Sequence, residues 1–193
     1  MLSPSDQTGQ TVLAAVLADP VCAEILDRFP SLGLPEWWLT AGAVFQNVWN
    51  RIEGRPPGYG IQDYDVFYYD RSDLSWEAED DVIRAATDLF PEAPRPVQVR
   101  NQARVHLWYE AKFGVTCPPF VSATDAIDAF ASTTCCVGIT QDHGGLRFHA
   151  PFGLGDVLAM HLRPHRRLAP RKVYEEKVSQ YTARWPSLTS DPW

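Results

Sequence analysis

The chain has 193 residues and a net charge of −7, from 17 basic against 24 acidic side chains. With 45% apolar and 21% charged residues it has the composition of a folded globule and excludes a disordered tail. The acidic balance argues against general nucleic-acid binding and against a pull towards anionic membrane.

No apolar run approaches the ~20 residues that span a bilayer. The opening MLSPSDQTGQ lacks the basic start and apolar stretch of a signal peptide, so a cytoplasmic location is expected. Cys22, Cys117, Cys135 and Cys136 form no CxxC pair and read as reduced, buried thiols.

In chain order, residues 10–18 and 21–29 read as helices, with Val12, Val16, Val21 and Ile25 at helical steps and a break at Asp19-Pro20. Residues 30–35 form a turn-rich connector. Residues 37–42 (WWLTAG) read as a short strand ending in glycine, and 43–52 as a helix. RPPGYG at 55–60 is a loop. Residues 64–69 (YDVFYY), aromatic and β-branched, give the strongest strand signal. A helix over 76–90 follows, with Ser75 as its N-cap. A strand over 96–100 leads to Asn101, a candidate cap for a helix running to Lys112 and stopped by Gly114. Ser122 or Thr124 caps a helix through Phe130. Residues 133–140 and 146–150 read as an antiparallel pair, and 154–162 and 171–185 as closing helices, with Asp156 capping the first. The last eight residues are expected to be loosely held.

Helices and strands alternate early and a hairpin comes late. The expected fold class is α+β, a mixed β-sheet with helices packed on it. A single domain over 1–193 is expected, with N-terminal helices over 1–35, a sheet-containing core over 36–150 and closing helices over 151–185.

Asp63-Tyr64-Asp65 is the sharpest local feature. On a strand, residues two apart face the same way at ~6.5–7 Å between Cα atoms. Two ionised carboxylates at that distance repel by ~2.5 kcal/mol at an effective dielectric near 20. Such a pair is solvated, protonated or bridged by a cation, and oxygen-only ligands suit Mg²⁺ or Mn²⁺. The plainer alternative is that Asp63 caps the preceding loop and Asp65 is solvated. Upstream, the strand–Gly42–helix unit can bring backbone N–H groups to an anion, or can simply ease a tight turn.

Apolar strand, glycine, helix, then DxD heading a hydrophobic strand resembles the polymerase-β-like nucleotidyltransferase superfamily. More narrowly, TAGAVFQNVWN (40–50), IQDYDVFYYD (61–70), VQVRNQARVHLWYEAKFG (97–114) and APFGLGDVLAMHLRPH (150–165) resemble a bacterial group of nucleotidyltransferase family proteins, formerly a domain of unknown function. That group is similar in fold to the head domain of tRNA CCA-adding enzymes. The resemblance implies that Gly42 faces phosphate, that Asp63 and Asp65 hold metal, and that Gln98 stands where relatives carry a third carboxylate. Glutamine can contact a cation but cannot take a proton near pH 7.

Asn101, Arg104 and Trp108 recur at helical steps. Arg104 can grip a triphosphate or close a salt bridge; Trp108 or Tyr109 can stack on a base or fill the core. The resemblance favours Asn101 and Arg104 near the nucleotide. Asn47, five residues after Gly42, is either a nucleotide contact or a buried amide bonded to a loop; His106 is catalytic or packed in the core. The basic run 163–167 (RPHRR) is an anion-attracting patch or a solvated face.

The expected function is metal-dependent transfer of a nucleoside monophosphate from an NTP to an unknown acceptor, with Mg²⁺ (or Mn²⁺) as cofactor. Two alternatives stay open: a nucleotide-binding pseudoenzyme, on account of Gln98, and an interaction module on the same scaffold.

Overall fold

The computed structural model describes residues 6–142 and 144–193. Residues 1–5, which begin the stretch read for a signal peptide, and His143, in the expected hairpin turn, lie outside the described residues. Helices α1 (Gln7–Leu17) and α2 (Pro20–Arg28) start at Asp6 and Asp19, whose carboxylates accept from Gly9 N and Val21 N. Pro20 opens the second helix, where its missing N–H is harmless.

The sheet contains β1 (Trp38–Thr40), β2 (Tyr64–Tyr68), β3 (Val97–Asn101), β4 (Gly138–Asp142) and β5 (Gly145–His149) in the order β3-β2-β1-β4-β5. Only β2 and β3 are parallel. Helix α3 (Gly42–Ile52) joins β1 to the loop before β2, and α4 (Trp76–Leu89), capped by Ser75, crosses between the parallel strands. The two-residue period of β2 turns Tyr64, Val66 and Tyr68 to one face, where Leu39, Val99 and Ile139 pack with Val12, Ile25 and Val48. Asp65 and Phe67 face the other way. On that side Phe67 and Trp38 meet a second core of Val105, Phe120 and Ile127, contributed by the segments around α5 (Tyr109–Phe113) and α6 (Ala123–Ile127).

Several sequence expectations are corrected. The run 101–112 is not one helix: a 3-10 turn over Gln102–Leu107, capped by Asn101, precedes α5. Ser122 does cap α6, which stops at Ile127. Residues 133–135 form a 3-10 turn ahead of β4. Residues 154–162 split into α7 (Gly155–Leu158) and β6 (His161–Leu162), parted by Met160 at φ 51°. Asp156 caps nothing; its carboxylate pairs with Arg163.

The chain end is not loose either. After α8 (Arg171–Arg184), β7 (Thr189–Ser190) pairs with β6, Leu188 is buried, and Trp193 lies 5.8 Å from the Tyr174 ring. Tyr181 and Trp185 pack on Phe45 and Trp49, and Trp185 Nε1 donates to Asn50 Oδ1 at 2.8 Å. Gly60, at φ +79°, lets the RPPGYG loop lie against Trp185; a Cβ there would stand 2.7 Å from the ring. These contacts fix α8, and with it Lys177, over the second face of the sheet.

No single described helix is long and apolar enough to cross a membrane. The first two helices satisfy length and composition only as a pair bent by 103°, and their Val12, Val16 and Ile25 lie in the core.

Candidate active site

Ala41 makes the turn from β1 into α3 at φ 54°, ψ −138°. A non-glycine residue there carries strain of order 1–3 kcal/mol, and such strain clusters at functional sites. Its carbonyl accepts from Val44 N and Phe45 N at 3.0 and 3.3 Å. No side chain caps α3, so the positive end of an eleven-residue helix has backbone donors without a side-chain acceptor. A Cβ at Gly42 would run into the amide of Gln46. Gln46 is itself buried, and its Oε1 has no partner among the described residues. Neither Ala41 nor Gln46 was found by sequence reasoning; the TAG triplet does not disclose a dihedral angle.

Leu39 pairs with Val66, so β1 runs on beside Asp65 towards Gly42. Asp65 sits opposite Gln98 in the parallel register, and Gln98 Nε2 donates to Asp63 Oδ2 at 2.9 Å. The three predicted residues therefore gather on one face at one end of the sheet. Burial pushes the Asp65 carboxyl up to about 7, and neighbouring Asp63 pushes the same way; Lys177 and Arg100 offset part of this. Lys177, from the closing helix, is a site residue that sequence reasoning missed, because nothing local ties it to β2.

Among the described residues no group of three or more His, Cys, Asp or Glu side chains is placed to hold a metal ion. The donor set here is two carboxylates and an amide. Gln98 turns its Nε2 to Asp63. Two carboxylates crowded in a half-buried corner are only partly offset by Lys177 and Arg100, and hard oxygen donors match a divalent cation such as Mg²⁺.

A cavity of about 280 Å³ opens from Asp65 and Gln98 over the second face of the sheet, walled by Phe67, Trp108, Phe120 and Phe130. A larger cleft of about 660 Å³ lies at the far end of β1, between Glu36, Trp37, Asp142 and Arg147, away from the carboxylates.

The remaining predicted residues are engaged within the protein. Asn47 is buried beneath the sheet: Nδ2 donates to Asp19 Oδ2 at 3.1 Å and to the Ala43 carbonyl at 2.9 Å, and Oδ1 accepts from Gly58 N at 2.9 Å. Tyr64, the neighbour of both aspartates, donates to the same Asp19 oxygen at 3.0 Å. Asn101 caps the 3-10 turn and holds the Asp70 backbone through both amide atoms. Arg104 is buried, pairs with Glu79 and donates to the Leu74 carbonyl at 2.9 Å. His106 Nδ1 is buried without a partner among the described residues and does not line the cavity. In the RPHRR run Arg163 pairs with Asp156 and Asp191 and Arg167 with Asp125, while Arg166 lies over the Trp193 ring at 5.5 Å.

A strand–turn–helix with an uncapped helix start, facing two carboxylates on the next strand, is the frame of a nucleotidyl-transferring domain. A nucleotidyltransferase family model matches residues 27–190, and the chain belongs to that family. The fold is similar to a solved NMR structure described as revealing a CCA-adding enzyme head domain, with a TM-score of 0.75 and 23% identity over 95% of this chain and 96% of that one. Among curated proteins none matches the chain.

Proposed function

We propose that the protein transfers a nucleoside monophosphate from an NTP to an acceptor, with the triphosphate at the start of α3 and a divalent cation, Mg²⁺ or Mn²⁺, at Asp63 and Asp65. The observation that carries this reading is the crowding of Asp65 and Asp63 beside a strained, uncapped helix start. A bound divalent cation would stabilise the charge that builds up on the phosphate oxygens. The backbone donors at Gly42 and Ala43 would take the distal phosphates, where the helix dipole favours anions. Asp63 and Asp65 would fix the α-phosphate beside β2, and the Gln98–Asp63 hydrogen bond would hold the Asp63 carboxylate in one orientation. Asn47 and Arg104 support this site through packing, Asn47 under the sheet and Arg104 behind β3.

One observation favours a second reading. Gln98 already satisfies Asp63 without a cation, as a nucleotide-binding pseudoenzyme with occupancy as its signal would allow. A thermal melt with each NTP, with and without Mg²⁺ or Mn²⁺, tests the pocket first. A ligand at 100 times its Kd adds ~2.7 kcal/mol of stability. A metal-dependent NTP shift, abolished by Asp63→Ala, supports both readings, and its absence rejects both. Pyrophosphate release then supports transfer over silent binding.

A further inference from the structure

The cavity that opens from Asp65 and Gln98 is mixed in composition. Its walls are aromatic, yet Arg100, Lys112 and Lys177 line it as well. Among the described residues none of the three closes an ion pair. Arg100 donates to the Val99 carbonyl at 3.0 Å, Lys112 lies over the Trp108 and Phe113 rings at 5.6 and 5.3 Å, and Lys177 lies 5.7 Å from the Tyr181 ring. Other cations of this acidic chain, such as Arg163, Arg167 and Arg171, are paired with carboxylates. Three cations with no ion pair among the described residues, of which Arg100 and Lys177 also act on Asp65, line an apolar cavity and match a ligand with an apolar body and a negative end.

The position of the cavity says which substrate this is. Across the sheet the order is Gly42 after β1, the aspartates on β2 and Gln98 on β3. The cavity is lined by Asp65 and Gln98 and by the segment following β3, and by neither Gly42 nor Gln46. In an in-line displacement the attacking oxygen enters opposite the leaving pyrophosphate. With the leaving group at Gly42, the entering oxygen comes from the β3 side.

Among the described residues that line the cavity, Asp65 is the one carboxylate, and the nucleotidyl-transfer reading gives it to the cation. Gln98 is an amide, Asp65 belongs to the metal corner, and burial pushes the Tyr109 phenol above its ordinary range, so it keeps its own proton. A nucleophile entering here must already be ionised.

Resting on the nucleotidyl-transfer reading, we infer that the acceptor is a small oxyanion on an apolar body, a carboxylate or a phosphate monoester, seated in this cavity with its charge steadied by Arg100, Lys112 and Lys177. A lone pair of the acceptor oxygen forms the new bond to the α-phosphorus. The bond from that phosphorus to the bridging oxygen of the β-phosphate breaks, and pyrophosphate leaves with the electron pair. No proton moves. A carboxylate yields a mixed anhydride and a phosphate yields a phosphoanhydride.

Calorimetric titration of the full chain with 3-phenylpropionate, phenyl phosphate and 3-phenylpropanol tests the cavity without nucleotide. The expected result is binding of at least one acid, about tenfold or more tighter than the alcohol, and a tenfold loss in Lys112→Gln. Lys112 is at the surface end of its helix, and an unchanged melt of the variant shows that it folds. Equal binding of alcohol and acid, no loss in Lys112→Gln, or no binding of either acid at 10 mM overturns the inference. Pyrophosphate release with Mg²⁺ and each NTP then identifies the acceptor. Release stimulated by the acids and not by the alcohol is expected, with hydroxylamine trapping the carboxylate product and leaving the phosphate product intact. An NTP melt shift with no acid-stimulated release defeats the acceptor assignment alone. No NTP shift in the wild type defeats the nucleotidyl-transfer reading, whatever the acids do.

Discussion

Gln98 and Asp63 are joined by a 2.9 Å hydrogen bond from the Gln98 amide to Asp63 Oδ2, made between neighbouring parallel strands. A carboxylate at position 98 would turn this attraction into repulsion and put a third negative charge beside Asp65. The amide thus lowers the charge of the corner and is itself no proton acceptor near pH 7.

Gln98→Glu should therefore change three quantities together. The metal-free melting temperature falls, because a hydrogen bond becomes a like-charge contact. The stabilisation by Mn²⁺ grows, because the corner gains a hard anionic ligand. Transfer to an alcohol such as 3-phenylpropanol rises by ~10²–10⁴, the usual worth of general-base help, while an acid acceptor gains little. Melts over a MnCl₂ series and pyrophosphate assays with paired alcohol and acid acceptors check all three. An unchanged preference for acid over alcohol would show that position 98 does not set acceptor chemistry.

Asp65 gives a pH signature. Its carboxyl is pushed up to about 7 by burial and by Asp63, against 3.8 ordinarily. Between those values the folded state binds more protons than the unfolded one, so the contribution of this group to stability falls as pH rises from about 4 to about 7 and is flat above. At ~1.4 kcal/mol per pKa unit the loss is on the order of 4 kcal/mol. Asp65→Asn removes the ionisation and keeps the shape. Metal-free Asp65→Asn should be more stable than wild type at pH 8, the advantage should vanish near pH 4, and nucleotide transfer should be lost. Denaturant unfolding with EDTA at several pH values measures the difference, and an equal gap at pH 4 and pH 8 would contradict the assignment.

Strand and helix periodicity carried the sequence reading where one face of an element is buried. The YDVFY alternation placed Asp65 on the opposite face from Val66, and Ser75 and Ser122 marked the helix starts that they cap. The reading lost detail where burial is continuous, as at 101–105, where a buried arginine satisfied by Glu79 breaks the amphipathic pattern. It also could not see contacts set by long-range packing. Lys177 reaches Asp65 only because Trp185 and Tyr181 dock on α3. Ala41 reads as an ordinary alanine until its dihedral angles are known.

Asn47 is central to a buried polar network with Asp19, the Ala43 carbonyl and Gly58 N. Its truncation leaves Gly58 N and one contact of Asp19 unmatched, and buried groups left so cost about 1–3 kcal/mol each. Asn47→Ala should lower stability by roughly 2–4 kcal/mol. The NTP-induced melt shift of the folded variant should stay within a degree of the wild-type shift. A stable variant that has lost its NTP response would instead make Asn47 a nucleotide contact.

Ala41 offers the converse test, a gain in stability at the site itself. At φ 54°, ψ −138° its Cβ is strained, and glycine adopts the same backbone freely. Glycine also gives the unfolded chain more freedom, which opposes folding by ~0.4–1 kcal/mol. The strain relieved is of order 1–3 kcal/mol, so Ala41→Gly should stabilise the protein by about 1 kcal/mol, whereas Ala41→Val, with its branched Cβ, should destabilise it by more than that. If the strained turn aims the first N–H groups of α3 at phosphate, Ala41→Gly should also weaken the NTP melt shift while it raises the melting temperature, since a freer turn holds those donors less firmly. Melts of the variant with and without Mg²⁺ and NTP separate the two effects; a rise in both would show that the strain serves no ligand.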